Sequence, residues 1–293
     1  MSDLRYEKPA SVAEAVRLLA AEPGRAAALA GGTDLMVAMR AGRATGQCPE
    51  LLVDLKGITE LERITWTEDG TLRIGACVRI QDLAGDARIQ QTFPALAEAA
   101  GNIGSLQVRH RATVGGNLGN ASPCADTAPP LLVLAARLVV AGDRQSREIP
   151  LDQFFQGVKQ VALTPGEIII EVVVPPAPAG LRTGFGKVKR IRGHDLALVN
   201  AAAAWVPGSA EVKLALGSVA PTPMLVPGLD NAGAGNPSAT ELGERLAAAA
   251  LAATAPIDDV RASAEYRRDM IAMLCRRLAA TLLDVPASQT GGR

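Results

Sequence analysis

A-L-A-G-G-T-D-L-M-V-A-M-R, at residues 28–40, decides how the start of this chain folds. An apolar run stops at Gly31-Gly32, Thr33 and Asp34 follow, and apolar residues then recur at helical spacing. Upstream, residues 26–30 read as a short apolar strand, and L-L-V-D-L at 51–55 reads as a second, buried one. Strand, glycine turn, helix, strand is the order that points backbone N–H groups at a ligand. Ahead of it, Ser11 followed by Glu14 spells a capping box. Val12, Ala15, Val16 and Leu19 then place an apolar stripe on a helix that ends near Pro23-Gly24.

R-A-T-V-G-G-N-L-G-N at 111–120 looks like a variation on the same theme. The doublets alone carry no information: glycine fills 29 of 293 positions, so about three adjacent pairs arise by chance. Three occur, at 31–32, 115–116 and 291–292. Context says more, because A-G-G-T-D and T-V-G-G-N each set the doublet after an apolar or β-branched residue and before a short polar one. Such loops let successive N–H groups converge on an anion, and Thr33 and Asn117 can add side-chain hydrogen bonds. Neither matches the common dinucleotide or P-loop pattern. Two readings stand: ordinary turns, or two halves of a pyrophosphate clamp. In A-S-P-C-A-D-T-A-P-P (121–130), Asp126 likewise has two readings. It is either a carboxylate for ribose or ribityl hydroxyls, or the N-cap of a helix beginning near Pro129.

Strand signals at 63–66, 71–75, 137–141 and 167–174 alternate with helical stretches at 93–100 and 129–136. The P-P-A-P-A-G run at 175–180 marks an exit from that unit, since proline cannot pair in a ladder. Beyond it, 183–190, 200–205 and 211–219 read as a meander, and a loop at 221–238 leads to helices at 240–254 and 263–282. In the last helix Tyr266, Met270, Met273, Leu274, Leu278 and Leu282 form one apolar face of the kind that packs in a core or interface. The tail at 286–293 is polar and reads as frayed.

Length, 293 residues with 48% hydrophobic content, suffices for two or three subdomains without staples. Thirty Lys and Arg balance thirty Asp and Glu, so nothing advertises nucleic acid or an anionic membrane as partner. A chain near neutrality is poorly protected against association, which favours life in a complex. Neither a signal peptide nor a membrane span is apparent, and the expected location is cytoplasmic. Cys48, Cys77, Cys124 and Cys275 are scattered singly, with only His110 and His194 beside them, so no metal site is expected in this chain. Two histidines also leave little material for a Ser-His-Asp or Cys-His arrangement, and no catalytic residue is assigned.

In ordered sequence, several motifs resemble the FAD-binding, or medium, subunit of the molybdenum hydroxylases, the group of xanthine dehydrogenases and aerobic carbon monoxide dehydrogenases. They are the opening stretch from Tyr6 to Leu19, A-G-G-T-D-L (30–35), V-R-H-R-A-T-V-G-G-N-L (108–118), S-P-C-A-D (122–126), D-Q-F-F-Q-G (152–157), P-G-E-I-I-I-E-V (165–172) and S-A-E-Y-R-R (263–268). The resemblance covers nearly the whole chain. It implies an α+β protein: an FAD-binding domain of vanillyl-alcohol-oxidase (PCMH) type in two α/β subdomains, at 1–56 and 57–176, followed by a C-terminal domain of the CO dehydrogenase flavoprotein type at 177–293.

Carried over residue by residue, it implies a first pyrophosphate-binding segment of Ala28, Leu29, Ala30, Gly31, Gly32, Thr33, Asp34 and Leu35. A second comprises Thr113, Val114, Gly115, Gly116 and Asn117. Asp126 is implied to hold FAD hydroxyls, with Ile103, Ile169 and Lys187 near the cofactor. Ile169 also suits an ordinary core strand, and Lys187 a solvated one. No histidine lies in either glycine segment, so the implied FAD is non-covalent, and His110 reads as structural. A cysteine-bearing insertion that some relatives use for an extra iron-sulfur cluster is absent.

By the same resemblance, the chain works with a large molybdenum-cofactor subunit and a small subunit carrying [2Fe-2S] clusters, as a heterotrimer or a dimer of heterotrimers. Electrons from the clusters would pass through it to NAD+, a quinone or another acceptor. The rival readings are a free-standing flavin oxidoreductase of the same fold and a cofactor-less assembly module.

Overall fold

The structure is a computed structural model and describes residues 4–42, 48–143 and 145–283. The polar tail expected to fray lies outside the described residues. Near the N-terminus, β1 (Arg5–Glu7), α1 (Val12–Ala21), β2 (Ala26–Leu29), α2 (Leu35–Gly42) and β3 (Leu51–Asp54) build a three-stranded parallel sheet in the order β1-β3-β2. Central β3 is buried along its whole length, as an apolar L-L-V-D run between two parallel neighbours requires. Helix α1 buries Ala15, Val16 and Leu19, three residues of the stripe read from the sequence. The capping box is only half formed. Ser11 Oγ accepts the Glu14 N–H at 3.2 Å, but the Glu14 carboxylate accepts from Ala10 N–H at 3.0 Å instead of reaching the cap residue.

The second unit contains β4 (Ile64–Trp66), β5 (Leu72–Gly75), α3 (Ile80–Gly85), α4 (Ala87–Thr92), α5 (Pro94–Gly101), α6 (Leu106–Arg109), α7 (Val114–Gly119), α8 (Ala128–Val133), β6 (Arg137–Ala141), β7 (Ser146–Pro150), β8 (Phe155–Gly157), β9 (Gln160–Val161) and β10 (Ile168–Val174). Its main sheet runs β4-β5-β10-β6-β7 and is antiparallel throughout. The four strands expected here all form, and the helical stretches near 93–100 and 129–136 appear as α5 and α8. Missing from the sequence reading were β7, β8, β9 and the short helices α3, α4, α6 and α7. Trp66 stacks on Phe93 with centroids 5.9 Å apart, and the Arg88 guanidinium covers Trp66 at 4.0 Å.

The C-terminal unit is the expected meander, β11 (Arg182–Val188), β12 (Val199–Trp205) and β13 (Val212–Gly217), with one further short strand, β14 (Met224–Leu225). Helices α9 (Ala239–Ala253) and α10 (Ala264–Leu282) cover one face. Every residue of β12 is buried because the sheet is sandwiched. Val199, Ala201, Ala203 and Trp205 join the core under α9 and α10, while Ala202 and Ala204 join the core of the second unit. The alternation therefore welds the meander to the rest of the molecule.

Within α10 the sequence pattern was right in period and partly wrong in phase. Leu274, Leu278 and Leu282 are buried, but Tyr266 is 43% exposed and Arg267 is 3% exposed in its place. Arg267 is tolerated there because Nη1 donates to the carbonyls of Leu198 (2.8 Å) and Ser218 (3.1 Å), and Nη2 lies 2.8 Å from the Asp259 carboxylate.

Candidate functional site: a cavity walled by both glycine segments

The fold brings the two glycine segments into contact. A Cβ on Gly31 would stand 2.1 Å from the Arg111 carbonyl oxygen and 2.8 Å from Ala112 Cα, so glycine is needed for the two backbones to pass. Gly32 has φ of 79°, a left-handed conformation that lets the chain turn from β2 into α2. Among the described residues, no hydrogen bond engages the N–H groups of Gly31, Gly32, Thr33 or Asp34. They gather at the N-terminal end of α2, where unpaired amides and the helix dipole favour negative charge.

The second segment differs from the expected loop. Residues 114–119 form helix α7, capped by Thr113, whose hydroxyl accepts the Gly116 N–H at 3.2 Å. Val114 N–H donates to Val78 O (3.0 Å), Gly115 N–H to Ala76 O (2.9 Å) and Asn117 N–H to Thr113 O (2.9 Å). These amides are already spent, so the expectation that both segments offer N–H groups to a ligand fails for the second. Gly115 is glycine for packing, since its Cβ would lie 2.6 Å from that of Ala76. What the second segment adds is a wall and the Asn117 side chain, whose Oδ1 accepts from Thr127 Oγ1 at 2.6 Å.

Together they enclose a half-open cavity of about 510 Å³, within the size range of cofactor pockets. Ala28, Ala30, Gly31, Gly32, Thr33, Asp34 and Leu35 line it, as do Ile103, Thr113, Gly115, Gly116, Asn117, Asp126, Ile169 and Lys187. Two residues singled out from the sequence do not. Leu29 ends strand β2 away from the lining, and Val114 is fully buried in the core of the second unit. Ile169 lies beside a bulge in β10 and meets Gly119 across the cavity wall.

Asp126 is not the helix cap that chemistry alone allowed. The N-cap position of α8 belongs to Thr127, which makes no side-chain cap bond. Asp126 is 5% exposed, and its carboxylate takes Lys187 Nζ at 2.6 Å on Oδ2 and Asn200 Nδ2 at 2.8 Å on Oδ1. Burial raises its pKa above the ordinary carboxylate value, opposed by the charge and hydrogen bond of Lys187 and by the Asn200 amide. The Lys187 side chain is 3% exposed and also donates to Asn102 O at 3.2 Å, which excludes a solvated strand charge.

Several further lining residues were not assigned to the site from the sequence. His194, Asp195 and Leu196 approach from the β11–β12 connection. Asp195 is paired with Arg190 at 3.1 Å, which holds its carboxyl down at about 2. Glu167, also on the wall, is held near 2 by Arg147, which forks onto both carboxylate oxygens at 2.8 Å. Cys124 lies 3.8 Å from Arg261 Nη1. Behind the first segment, Lys56 Nζ bridges Asp54 Oδ1 (2.6 Å) and the Ala30 carbonyl (3.0 Å), and Tyr6 donates to the same carboxylate. This pins the strand end from which the glycines leave. By contrast His110 is exposed, caps α6 and does not line the cavity.

Residues 2–177 match the model of the FAD binding domain in molybdopterin dehydrogenase, and residues 184–282 that of the CO dehydrogenase flavoprotein C-terminal domain. The chain is 31% identical over 277 residues to the xanthine dehydrogenase FAD-binding subunit of Escherichia coli, covering 93% of this chain and 94% of that one. It is 33% identical over 275 residues to the carbon monoxide dehydrogenase medium chain of Hydrogenophaga pseudoflava, with the same coverage. Among solved structures, the carbon monoxide dehydrogenase of H. pseudoflava superposes with a TM-score of 0.89 at 32% identity, covering 97% of this chain and 98% of the other. Quinoline 2-oxidoreductase from Pseudomonas putida 86 gives 0.87 at 26% identity, covering 96% and 98%. A cavity walled by both glycine segments and these matches over both domains lead to one conclusion: the chain belongs to the FAD-binding medium subunits of the xanthine and carbon monoxide dehydrogenase type molybdenum hydroxylases, a family of oxidoreductases.

Proposed function

We propose that this chain relays electrons between [2Fe-2S] clusters of a small partner subunit and an acceptor such as NAD+ or a quinone, while a large partner subunit with a molybdenum cofactor acts on the substrate. The relatives support the reading by name, being medium chains or FAD-binding subunits of dehydrogenases. The single observation that carries it is the convergence of both glycine segments, Asp126 and Lys187 on one cavity.

The residues fit FAD, held non-covalently. Free N–H groups at the start of α2, next to a glycine in the left-handed region, suit a pyrophosphate. Asp126 and the Asn117 amide suit hydroxyls, and Ile103 and Ile169 offer apolar surface to a flat ring. When bound, FAD supplies the redox chemistry, accepting electrons singly or in pairs. The chain's part is to bind, orient and shield. Its arginine-paired carboxylates, Glu167 and Asp195, keep the wall ionised across the physiological range. The division at 1–56, 57–176 and 177–293 is proposed as the unit of this work: two parts grip the cofactor, and the third supplies Lys187 and closes the side.

Among the described residues no helix is long and apolar enough to cross a membrane. Exposed Met36 and Val37 on α2 adjoin cavity-lining residues in sequence and exposed Leu196 lines the cavity itself, and they suit partner contact better than open water. A free-standing oxidoreductase would turn over substrate alone. An assembly module would bind no flavin. Tagged chain expressed with its neighbouring subunits tests the proposal: recovery of a large and a small subunit, and flavin bleaching only when substrate and both partners are present, is the expected result. Substrate turnover by the isolated chain would overturn it.

A further inference from the structure

Lys187 and Asn200 face each other directly across β11 and β12, and Asn200 faces Gly217 across β12 and β13. This row of three strands meets Asp126 from behind the cavity. Asn200 is 0% exposed and does not line the cavity, yet its Nδ2 donates to Asp126 Oδ1 at 2.8 Å. Lys187 takes the other oxygen, so the two cross-strand partners hold one lone pair on each carboxylate oxygen and leave the others for a ligand. The amide needs space to do so. A Cβ on Gly217 would lie 2.2 Å from Asn200 Oδ1 and 3.0 Å from Pro123 O. Asn200 Oδ1 itself is buried with no partner. A buried unpaired acceptor is costly, so what offsets it is the bonding of the N–H₂ group, which donates to Asp126 Oδ1 at 2.8 Å and more weakly to Ala125 O at 3.5 Å.

We propose that Asn200 is a positioning residue, aiming the Asp126 carboxylate at the cofactor through a space that Gly217 keeps open. The inference rests on the reading of Asp126 as a cofactor-binding residue. Its alanine variant would lose FAD affinity only by way of Asp126. A merely structural role would add its loss to that of any Asp126 variant.

The test is FAD titration of the full-length apo-chain, followed by flavin fluorescence, for wild type, Asn200→Ala, Asp126→Ala and Asn200→Ala/Asp126→Ala, each checked for folding by circular dichroism. The expected result is a loss of about tenfold or more in affinity for each single variant, with the double variant within about twofold of Asp126→Ala. Wild-type affinity in Asn200→Ala, or multiplied losses in the double variant, would overturn the proposal. Wild-type affinity in Asp126→Ala would overturn the underlying reading of Asp126, a distinct outcome. If Asn200→Ala does not fold, Gly217→Ala takes its place in the same cycle, because the new methyl displaces the amide. The same two results decide the matter.

Discussion

Gly31 lies against the Arg111 carbonyl so closely that one added methyl would stand 2.1 Å from that oxygen. The two glycine segments are thus one wall, and their contact depends on the absence of a side chain. Gly31→Ala should push the segments apart, costing about 1–3 kcal/mol of stability as overpacking does. Urea unfolding and FAD titration of the same variant should show both losses together.

Gly32 gives a different result. Its φ of 79° makes any L side chain costly by roughly 1–2 kcal/mol, while the nearest atom to a Cβ is the flexible Leu29 Cδ1 at 3.0 Å. Gly32→Ala should unfold at lower urea yet stay folded at room temperature. Gly32→Val should in addition bind FAD poorly, since a β-branched residue resists the left-handed φ that the turn beside the free amides requires. Full cofactor retention by the valine variant would remove Gly32 from the anion site.

The Asp126–Lys187 pair predicts a compensation. Removing either partner leaves a buried charge alone, at a cost of about 3–5 kcal/mol, whereas replacing both by apolar residues costs less than the sum. Asp126→Leu/Lys187→Met should melt closer to wild type than either single variant. Its FAD affinity should nevertheless stay low.

Glu167 makes stability depend on acid. Arg147 lowers its pKa from 4.5 to about 2, so its contribution is complete above about pH 5 and is lost as pH falls from 4.5 through 2. Arg147 is 40% exposed, and screening limits the effect to about 1 kcal/mol. Glu167→Gln should lower stability at pH 7 by that amount and flatten the acid limb of the stability curve between those values.

Arg267 should prove structural. Its guanidinium ties α10 to the carbonyls of Leu198 and Ser218 and to Asp259. Arg267→Ala should destabilise the chain by about 3–5 kcal/mol by leaving these groups unpaired. Thermal melting checks this, and Arg267→Lys should rescue it only in part because one ammonium cannot reproduce the fork.

Where apolar periodicity was long, the fold was legible: α1, α9, α10, β3, β10 and the meander all stand where their patterns put them. Helix α7 was not, because V-G-G-N-L-G reads as a loop by propensity and is made helical by the Thr113 cap and by bonds to residues 76–78. Burial of Arg267 escaped because a hydropathy pattern counts arginine as polar, whatever carbonyls await it. In V-N-A-A-A-A-W the lone asparagine of an apolar strand was the available signal for Asn200. The motifs located most of the cavity lining. They could not show that one glycine segment offers free amides while the other has spent its own.

Purified chain, saturated with FAD, gel-filtered and precipitated with acid, decides whether the cavity holds a non-covalent flavin. The expected outcome is a yellow protein whose flavin passes intact into the supernatant in stoichiometric amount, and a colourless one for Gly32→Val. A wild-type chain that leaves the column without flavin, or a pellet that keeps its colour, would contradict it.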